Sequence, residues 1–186
     1  DLHFPLMNLP LKYGMSYGSH HFPYLTPPTV MDLGTRQGLR VGLNWAGNPQ
    51  HARDRERSRR LSEFASLTAV PNIEFYSLQI GPASTQLADT TIKITDLTTS
   101  IKNMSDTAAA IRALDLVISI DSAPAHLAGA LDIPVWILLT KIPDWRWGLK
   151  RETTPLYPSM RIFREHNGWD DIFSRVTSAL IEFSSN

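Results

Sequence analysis

One stretch, which begins at Asp115 and reads DLVISIDSAPAHLAGALDIPVWILL, constrains the fold more than any other. Residues 116–120 and 135–139 are short apolar runs without polar alternation, which is typical of strands buried on both faces. Asp121 and Ser122 suit the N-terminal end of a helix, and the small residues after them can form a helix that packs closely on a sheet. A helix that joins two buried strands indicates a right-handed parallel crossover.

The polar residues of this unit gather at one end of it. Asp121 and Ser122 follow the first strand, and His126 lies one helical turn after Ser122 on the same face. Open α/β sheets bind ligands at the carboxyl ends of their strands, and helix N-termini attract phosphate. A capped helix with a surface histidine explains the same residues without a ligand, so both interpretations stay open.

Four segments together resemble one known family. The block DSAPAHLAGALDIPVW resembles the motif of the heptosyltransferase-like glycosyltransferases of family 9. It is more similar still to the glycosyltransferase-like domain at the carboxyl end of many bacterial tetratricopeptide-repeat proteins. That second group also matches VGLNWAGNPQHARDRERSRRL, FYSLQIGP and PDWRWGLKRETTPLYPSMRIFRE. The resemblance extends from about Leu2 to the end and implies the carboxyl-terminal, donor-binding half of a GT-B glycosyltransferase.

Composition excludes several classes of function. The chain has 186 residues, enough for one domain with a proper core, and a formal net charge of zero, so neither nucleic acid nor a membrane surface is an expected partner. It has no cysteine, which fits a cytoplasmic location. It also has no apolar run long enough to predict a membrane span, and its first residues do not resemble a signal peptide for export. A Rossmann dehydrogenase is disfavoured because no G-x-G-x-x-G follows the first strand.

The amino-terminal part is the least regular. Prolines and glycines interrupt residues 1–38. We interpret this part as an irregular arm or the remnant of an N-terminal domain. We interpret residues 39–186 as the nucleotide-sugar-binding domain. Because the chain begins at Asp1 rather than at Met, we expect a fragment that lacks most of the N-terminal half. The pair His20 and His21 has no carboxylate nearby, so we expect no metal there and no cofactor elsewhere.

The first clear strand, residues 40–45, leads into a turn with Gly47 and Asn48. A glycine here allows close approach of the backbone to a ligand phosphate, although a plain strand–helix turn needs it equally. The loop HARDRERSRR that follows is locally cationic, which is typical either of a diphosphate clamp or of a solvated face. The resemblance favours the clamp and selects Arg57 or Arg59, where related enzymes often use a lysine.

The next predicted strand, residues 73–79, ends at Gln79. The resemblance implies that this segment lines the nucleotide pocket, whereas by position alone Gln79 is a polar strand terminus. Further on, we expect Ser105 and Asp106 to cap a helix, with Met104 before the cap as a hydrophobic staple rather than as a contact to a base. The other predicted elements are helices at 62–68, 83–88, 107–114, 123–131 and 170–183 and strands at 92–94 and 160–164.

Two tryptophans, Trp145 and Trp147, fall on a loop after the strand at 135–139. Three roles fit them, namely covering the sheet edge, closing over a ligand and stacking on a base. We favour covering the edge, because that role requires no ligand.

Six strands that alternate with helices predict an α/β fold with an open, mostly parallel, doubly wound Rossmann-like sheet. The resemblance implies binding of a nucleotide-diphosphate sugar for hexosyl or heptosyl transfer. Gly47 and the arginine loop would hold the diphosphate, the helix N-terminus at Asp121, Ser122 and Ala123 would add backbone N–H groups, and His126 would reach a phosphate or the ribose. The general base would come from the missing N-terminal half, so this chain alone is an incomplete enzyme. Alternatively, it is a non-catalytic interaction module that docks on a tetratricopeptide-repeat domain.

Overall fold

A computed structural model describes residues 21–27 and 29–185. Its centre is a seven-stranded sheet with the spatial order β3-β2-β1-β4-β5-β7-β6. All neighbouring strands are parallel except β6, which is antiparallel to β7. The strands are β1 Leu39–Asn44, β2 Ile73–Ser77, β3 Thr95–Asp96, β4 Leu116–Ile120, β5 Val135–Leu139, β6 Thr153–Thr154 and β7 Tyr157–Arg164. The predicted fold class is therefore confirmed.

Helices cover both faces of this sheet. They are α1 Asp54–Arg57, α2 Ala65–Thr68, α3 Met104–Arg112, α4 Ala123–Ala130 and α5 Trp169–Ser184, with 3-10 turns at Leu61–Phe64, Pro82–Leu87, Thr98–Ser100 and Trp145–Trp147. Within residues 21–27 and 29–185, none of the helices is both long and apolar enough to cross a membrane.

The core lies in two layers, one on each face of the sheet. On one face, α3 and α4 pack against residues such as Val117 and Ile137. On the other face, α2 and α5 pack against residues such as Leu43 and Ile118. Every residue of β4 and β5 is buried, which agrees with their uninterrupted apolar sequences.

The order of the strands creates a crevice between β1 and β4. From β1 the chain builds outward through β2 and β3 on one side, whereas β4 starts the other half of the sheet. The two strands pair in parallel, so that Asn44 at the end of β1 lies beside Ser119 near the end of β4. In open α/β sheets this is the position at which ligands bind. The segments after β1 and β4, which supply most of the predicted site residues, therefore meet.

The described part of the amino-terminal arm packs on α3 and α4. The backbone N–H groups of Tyr24 and Leu25 donate to the carbonyl of Ala130, and that of Met31 donates to the carbonyl of Ala109. Side chains of the arm, including Phe22 and Met31, cover part of the core on this face. His21 is exposed, whereas His20 and most of the predicted arm lie outside the described residues.

Several predicted elements are wrong in detail. The strand predicted at 92–94 is instead β3 at 95–96, because Ile92 and Ile94 pack into the core while only Thr95 and Asp96 pair with β2. The two-residue strand β6 was not predicted. The helices predicted at 62–68 and 83–88 are partly or wholly 3-10 turns.

The helix predicted to start after Ser105 and Asp106 starts earlier, because Asn103 caps it. The Asn103 side chain accepts from the N–H groups of Ser105 at 2.8 Å and Asp106 at 3.1 Å. The Asp106 carboxylate accepts from the N–H of Asn103, which completes a capping box. Met104 therefore lies in the first turn, where it is 55% exposed, and the prediction that it acts as a staple is wrong.

Candidate functional site

Two clefts open side by side at the carboxyl edge of the sheet, and they share Arg57, Ser122 and Ala123. The polar cleft, about 370 Å³, is lined mainly by charged and histidine side chains from the loops after β1, β4 and β5, among them His51, Arg53, Glu56, Asp121, His126, Asp144 and Arg146. The apolar cleft, about 450 Å³, is lined by Gly47, Asn48, Gln79, Ile80, Met104 and Pro124, among others.

Ser122 joins the ends of β1 and β4. It occupies the N-cap position of α4, but its hydroxyl donates to the Asn44 side-chain oxygen at 2.5 Å instead of capping the helix. The Ser119 hydroxyl lies 3.1 Å from the Ser122 hydroxyl and 3.3 Å from the same Asn44 oxygen. Ser122 thus lies at the N-cap, where its residue type was expected, but its side chain makes no hydrogen bond to the helix. In the first turn of α4, Pro124 has no N–H, and the N–H of Ala125 donates to the carbonyl of Ser122 at 3.1 Å. The N–H of the exposed Ala123 has no side-chain cap, and Ala123 borders both clefts.

Arg57 is the cation between the clefts. Its Nε donates to Asp54 at 3.2 Å and its Nη1 donates to the carbonyl of Asp121 at 2.7 Å. These bonds use two of the five N–H groups of a guanidinium and hold its plane against the start of α4. A phosphate between the clefts can therefore approach Arg57 and the N-terminal end of α4 together.

Gly47 makes room for this arginine. A Cβ atom at position 47 would lie 2.6 Å from Arg57 Nη2 and 2.7 Å from Asp54 Oδ1, too close for either contact. The N–H of Gly47 donates to the Ser58 hydroxyl at 2.8 Å, so it does not point freely at a ligand. Asn48 is exposed, and its side chain closes a turn by accepting from the N–H of Gln50. Gly47 thus shapes the site through the space it leaves open.

Arg59 points away from both clefts. Its guanidinium carbon lies 4.3 Å from the ring centroid of Trp169 in α5, and its Nη2 donates to the carbonyls of Arg55 and Glu56. Of the two arginines that the sequence offered, the structure places only Arg57 in the site.

Gln79 is buried and its hydrogen-bonding capacity is used within the chain. Its side-chain oxygen accepts from the side chain of Asn44 and from the N–H groups of Trp45 and Ala46 at 2.8–3.1 Å. Its amide nitrogen donates to the carbonyls of Ala46 and Ile80. Gln79 therefore fixes the ends of β1 and β2 against each other and shapes the apolar cleft from behind.

Asp121 and His126 form one cluster with Trp147. The Asp121 carboxylate accepts from Trp147 Nε1 at 3.0 Å and lies 3.6 Å from His126 Nε2. Burial by itself raises the pKa of Asp121, but the interactions with His126 and Trp147 outweigh it and hold this pKa below its usual range. Trp147 is almost completely buried and stacks on the His126 ring, while Trp145 is 64% exposed. Trp147 thus packs beneath His126, whereas the exposed Trp145 does not cover the edge of the sheet.

Sequence reasoning did not select the two ion pairs that line the polar cleft. Arg53 pairs with Glu56 at 2.6 Å and also donates to the carbonyl of Ile142, which ties the loop after β1 to the loop after β5. Arg146 pairs with Asp144 at 2.7 Å and lowers the pKa of that carboxyl group. The position of the second loop after a buried parallel strand was a usable signal for Asp144 and Arg146.

The residues described in the structure include no group of three or more histidine or acidic side chains placed to hold a metal ion. The cations of the polar cleft are arginines, and each has a carboxylate partner. A guanidinium that is paired with one carboxylate keeps further N–H groups for a second anion.

Comparisons with known proteins show the family to which this fold belongs. A sequence model of glycosyltransferase family 9 (heptosyltransferase) matches residues 86–179, about half of the chain. Protein FlbA of Caulobacter vibrioides is 32% identical over 163 residues, which cover 80% of this chain and 26% of FlbA. The chain thus spans about a quarter of the length of this relative.

Three solved structures share the fold. E. coli ADP-heptose LPS heptosyltransferase II has a TM-score of 0.57 and 18% identity, and the match covers 82% of this chain and 49% of the heptosyltransferase chain. E. coli heptosyltransferase WaaC with ADP has a TM-score of 0.55 and 17% identity over 87% of this chain and 51% of its own. A family 9 glycosyltransferase from Veillonella parvula has a TM-score of 0.54 and 16% identity over 76% of this chain and 39% of its own. At such low identities the likeness shows the fold alone.

The family match carries more weight than these folds, because it rests on sequence and includes the block from Asp121 to His126 that borders both clefts. The chain belongs to glycosyltransferase family 9.

Proposed function

We propose that this domain binds a nucleoside-diphosphate sugar as the donor in glycosyl transfer. The observation that carries the proposal is the position of Arg57, whose guanidinium lies at the junction of an apolar and a polar cleft beside the N-terminal end of α4. A nucleotide sugar has a matching order of parts, with a base whose aromatic faces suit an apolar cleft, then a charged diphosphate and a polar sugar. Both volumes are within the range of about 300–1,000 Å³ that is usual for small-molecule sites.

The base occupies the apolar cleft in this proposal. Ile80 and Met104 are both about half exposed there, which leaves apolar surface for a base to cover. The diphosphate then meets Arg57 and the N–H of Ala123 at the start of α4, and the sugar extends into the polar cleft toward His126. The bound ADP in the WaaC structure, which has the same fold, supports a nucleotide of this class.

Transfer in this account depends on stabilising the leaving group. When the bond between sugar and phosphate breaks, negative charge develops on the nucleoside diphosphate. Arg57 and the helix N-terminus are already placed to meet that charge, so they stabilise the transition state more than the ground state. Activation of the acceptor hydroxyl requires a general base, which we assign to a part of the protein outside this domain.

We also propose that residues 39–186 form the donor-binding domain of a longer, cytoplasmic protein that carries tetratricopeptide repeats. The resemblance of the four sequence segments supports the repeats, and the small share of FlbA that is matched supports the greater length. The complete coding sequence tests this point directly. Repeats with a period of about 34 residues upstream of this domain support the proposal, and their absence contradicts it.

Nothing in the site favours the alternative of a non-catalytic interaction module. Both clefts are open, and Arg57, Asp121 and His126 all border the polar one.

Calorimetric titration with ADP, UDP and GDP, without metal, tests donor binding. We expect one nucleotide to bind, and Asp121→Ala and His126→Ala to weaken it, while Asp89→Ala at an exposed position leaves binding unchanged. Absence of binding of all three nucleotides at millimolar concentration contradicts the proposal for this chain.

A further inference from the structure

The side chain of His126 is held by groups from three separate elements. Its Nδ1 lies 3.0 Å from the hydroxyl of Tyr157, the first residue of β7. Its Nε2 lies 3.6 Å from Asp121 after β4, and its ring stacks on Trp147 with a centroid distance of 5.3 Å and an angle of 25°. The ring also borders the polar cleft. Its orientation is therefore fixed before any ligand arrives.

The neighbours of His126 decide which ring nitrogen carries the proton. A neutral imidazole has one N–H, so one nitrogen donates and the other accepts. Burial alone would raise the pKa of Asp121, but its contacts with His126 and Trp147 outweigh burial and lower this pKa. The Asp121 carboxylate is therefore ionised and can only accept a hydrogen bond. A lone pair on Nε2 would face that carboxylate and be repelled, whereas an N–H there is attracted. With the proton on Nε2, the acceptor is Nδ1.

Tyr157 is the group that faces this acceptor. Burial raises the pKa of its hydroxyl, and a hydrogen bond with the Tyr24 hydroxyl raises it further, so Tyr157 stays protonated. The Tyr157 oxygen can accept from Tyr24, which leaves its own hydrogen for Nδ1 of His126. Gly129 lets the ring reach this place. A Cβ at position 129 would lie 2.4 Å from Cγ of Tyr157, which is too close for two carbon atoms. Glycine, which has no Cβ, avoids this overlap. Because Gly129 follows His126 by three residues, one face of α4 carries both the imidazole and the space for its partner.

We propose that Tyr157 is a positioning residue whose hydroxyl donates to Nδ1 of His126 and thereby fixes the tautomer that presents an Nε2–H to the polar cleft. The distance of 3.6 Å between Nε2 and Asp121 exceeds a normal hydrogen bond, so this donor is not saturated within the chain. A phosphate oxygen in the cleft supplies the missing acceptor. The identity of that ligand rests on the proposed function, whereas the tautomer does not.

Nitrogen-15 NMR of the imidazole side chains tests the tautomer on the protein without nucleotide. Spectra are recorded near pH 9, well above the pKa of about 6.5 of a free imidazole. His126→Gln identifies the signals. We expect an Nε2–H tautomer in the wild type and a shift toward a mixture of both tautomers in Tyr157→Phe. The matched control is Tyr76→Phe, which removes the hydroxyl of another buried tyrosine, beside Arg40, and leaves the His126 signals unchanged.

The same variants are then titrated with the nucleotide that binds the wild type. Loss of one net hydrogen bond predicts a roughly three- to tenfold weaker affinity for Tyr157→Phe and no more than about a twofold change for Tyr76→Phe. An Nδ1–H tautomer in the wild type overturns the inference, as does a Tyr157→Phe protein with unchanged tautomer and affinity. If the wild type binds no nucleotide, the proposed function fails while the NMR result still decides the tautomer.

Discussion

Arg57 and Arg59 lie two positions apart in a basic loop, yet their side chains leave the loop on opposite sides. Arg57 bonds to Asp54 and to the carbonyl of Asp121, whereas Arg59 stacks on Trp169. Composition identified the loop, but only the packing of each side chain distinguishes the arginine in the site from the arginine that anchors α5.

We therefore predict that Arg57→Gln weakens binding of a nucleoside diphosphate by about 10- to 100-fold, because a hydrogen bond to a charged group contributes about 1.5–3 kcal/mol. Since the substitution also leaves the buried Asp54 without its cation, the double variant Asp54→Asn, Arg57→Gln provides a version without an unpaired charge. Calorimetric titration measures both, and thermal unfolding verifies the fold. Arg59→Gln is the matched control, and an equal loss of affinity there contradicts the assignment.

Asp121 gives a prediction about pH. Because folding lowers its pKa, its ionised form stabilises the folded state at pH values above the unfolded pKa of about 3.9, and this stabilisation is lost as the pH falls through the folded value. Asp121→Asn should thus be less stable than the wild type at pH 7, by about 1 kcal/mol, with a difference that narrows below about pH 4. Urea unfolding at several pH values measures this. A gap that stays constant, or that matches Asp89→Asn, contradicts the interpretation.

At the scale of single elements, the start of α3 shows how a local rule can select the wrong residue. Ser105 and Asp106 are both residue types that cap helices well, but Asn103 occupies the N-cap. Asp106 lies at the N3 position, where its side chain accepts from the backbone N–H of Asn103. Sequence alone does not distinguish three neighbouring polar residues that each suit the same role.

We predict that Asn103→Ala lowers the free energy of unfolding by about 1 kcal/mol, because it removes the acceptor for two N–H groups of the first turn. Ser105→Ala, two positions away and exposed, should change it by less than about 0.5 kcal/mol. Chemical denaturation of the two variants checks the pair. A larger effect at Ser105 would show that the cap lies there.

The elements that the sequence predicted well are those whose signal is local. The apolar runs of β4 and β5 and the amphipathic α5 appear with nearly the predicted bounds. The two-residue strand β3 was misplaced and β6 was missed, because their pairing depends on a partner strand already in place. Tyr157 was missed as a site residue for a similar reason. It begins a strand, and its hydroxyl reaches His126 only because Gly129 leaves a gap in a neighbouring helix.

At the scale of the whole molecule, the site residues predicted from strand ends do converge, because parallel strands bring their carboxyl ends to one edge. Asp121, Ser122 and His126 follow β4, and Gly47 and Arg57 follow β1. The division of that edge into an apolar and a polar cleft was not predictable, since it depends on how the segments after β1, β2, β4 and β5 fold over the strand ends.

The arm is also part of the core on one face. We predict that Met31→Ala lowers the free energy of unfolding by about 1–2 kcal/mol, because the Met31 side chain is partly buried against α3 and α4. Val30→Ala, at a neighbouring residue that is 59% exposed, should have an effect below about 0.5 kcal/mol. Equal effects of the two substitutions, measured by urea unfolding, would mean that the arm does not contribute to the core.

The central claim is that the junction at Arg57 holds a diphosphate between a base and a sugar. A crystal structure of the chain with its tightest-binding nucleoside diphosphate tests this most directly. We predict the base against Ile80 and Met104 in the apolar cleft, with phosphate oxygens in hydrogen-bond contact with Arg57 and the N–H of Ala123. A nucleotide bound away from this edge of the sheet, or one with its base in the polar cleft, would contradict the account.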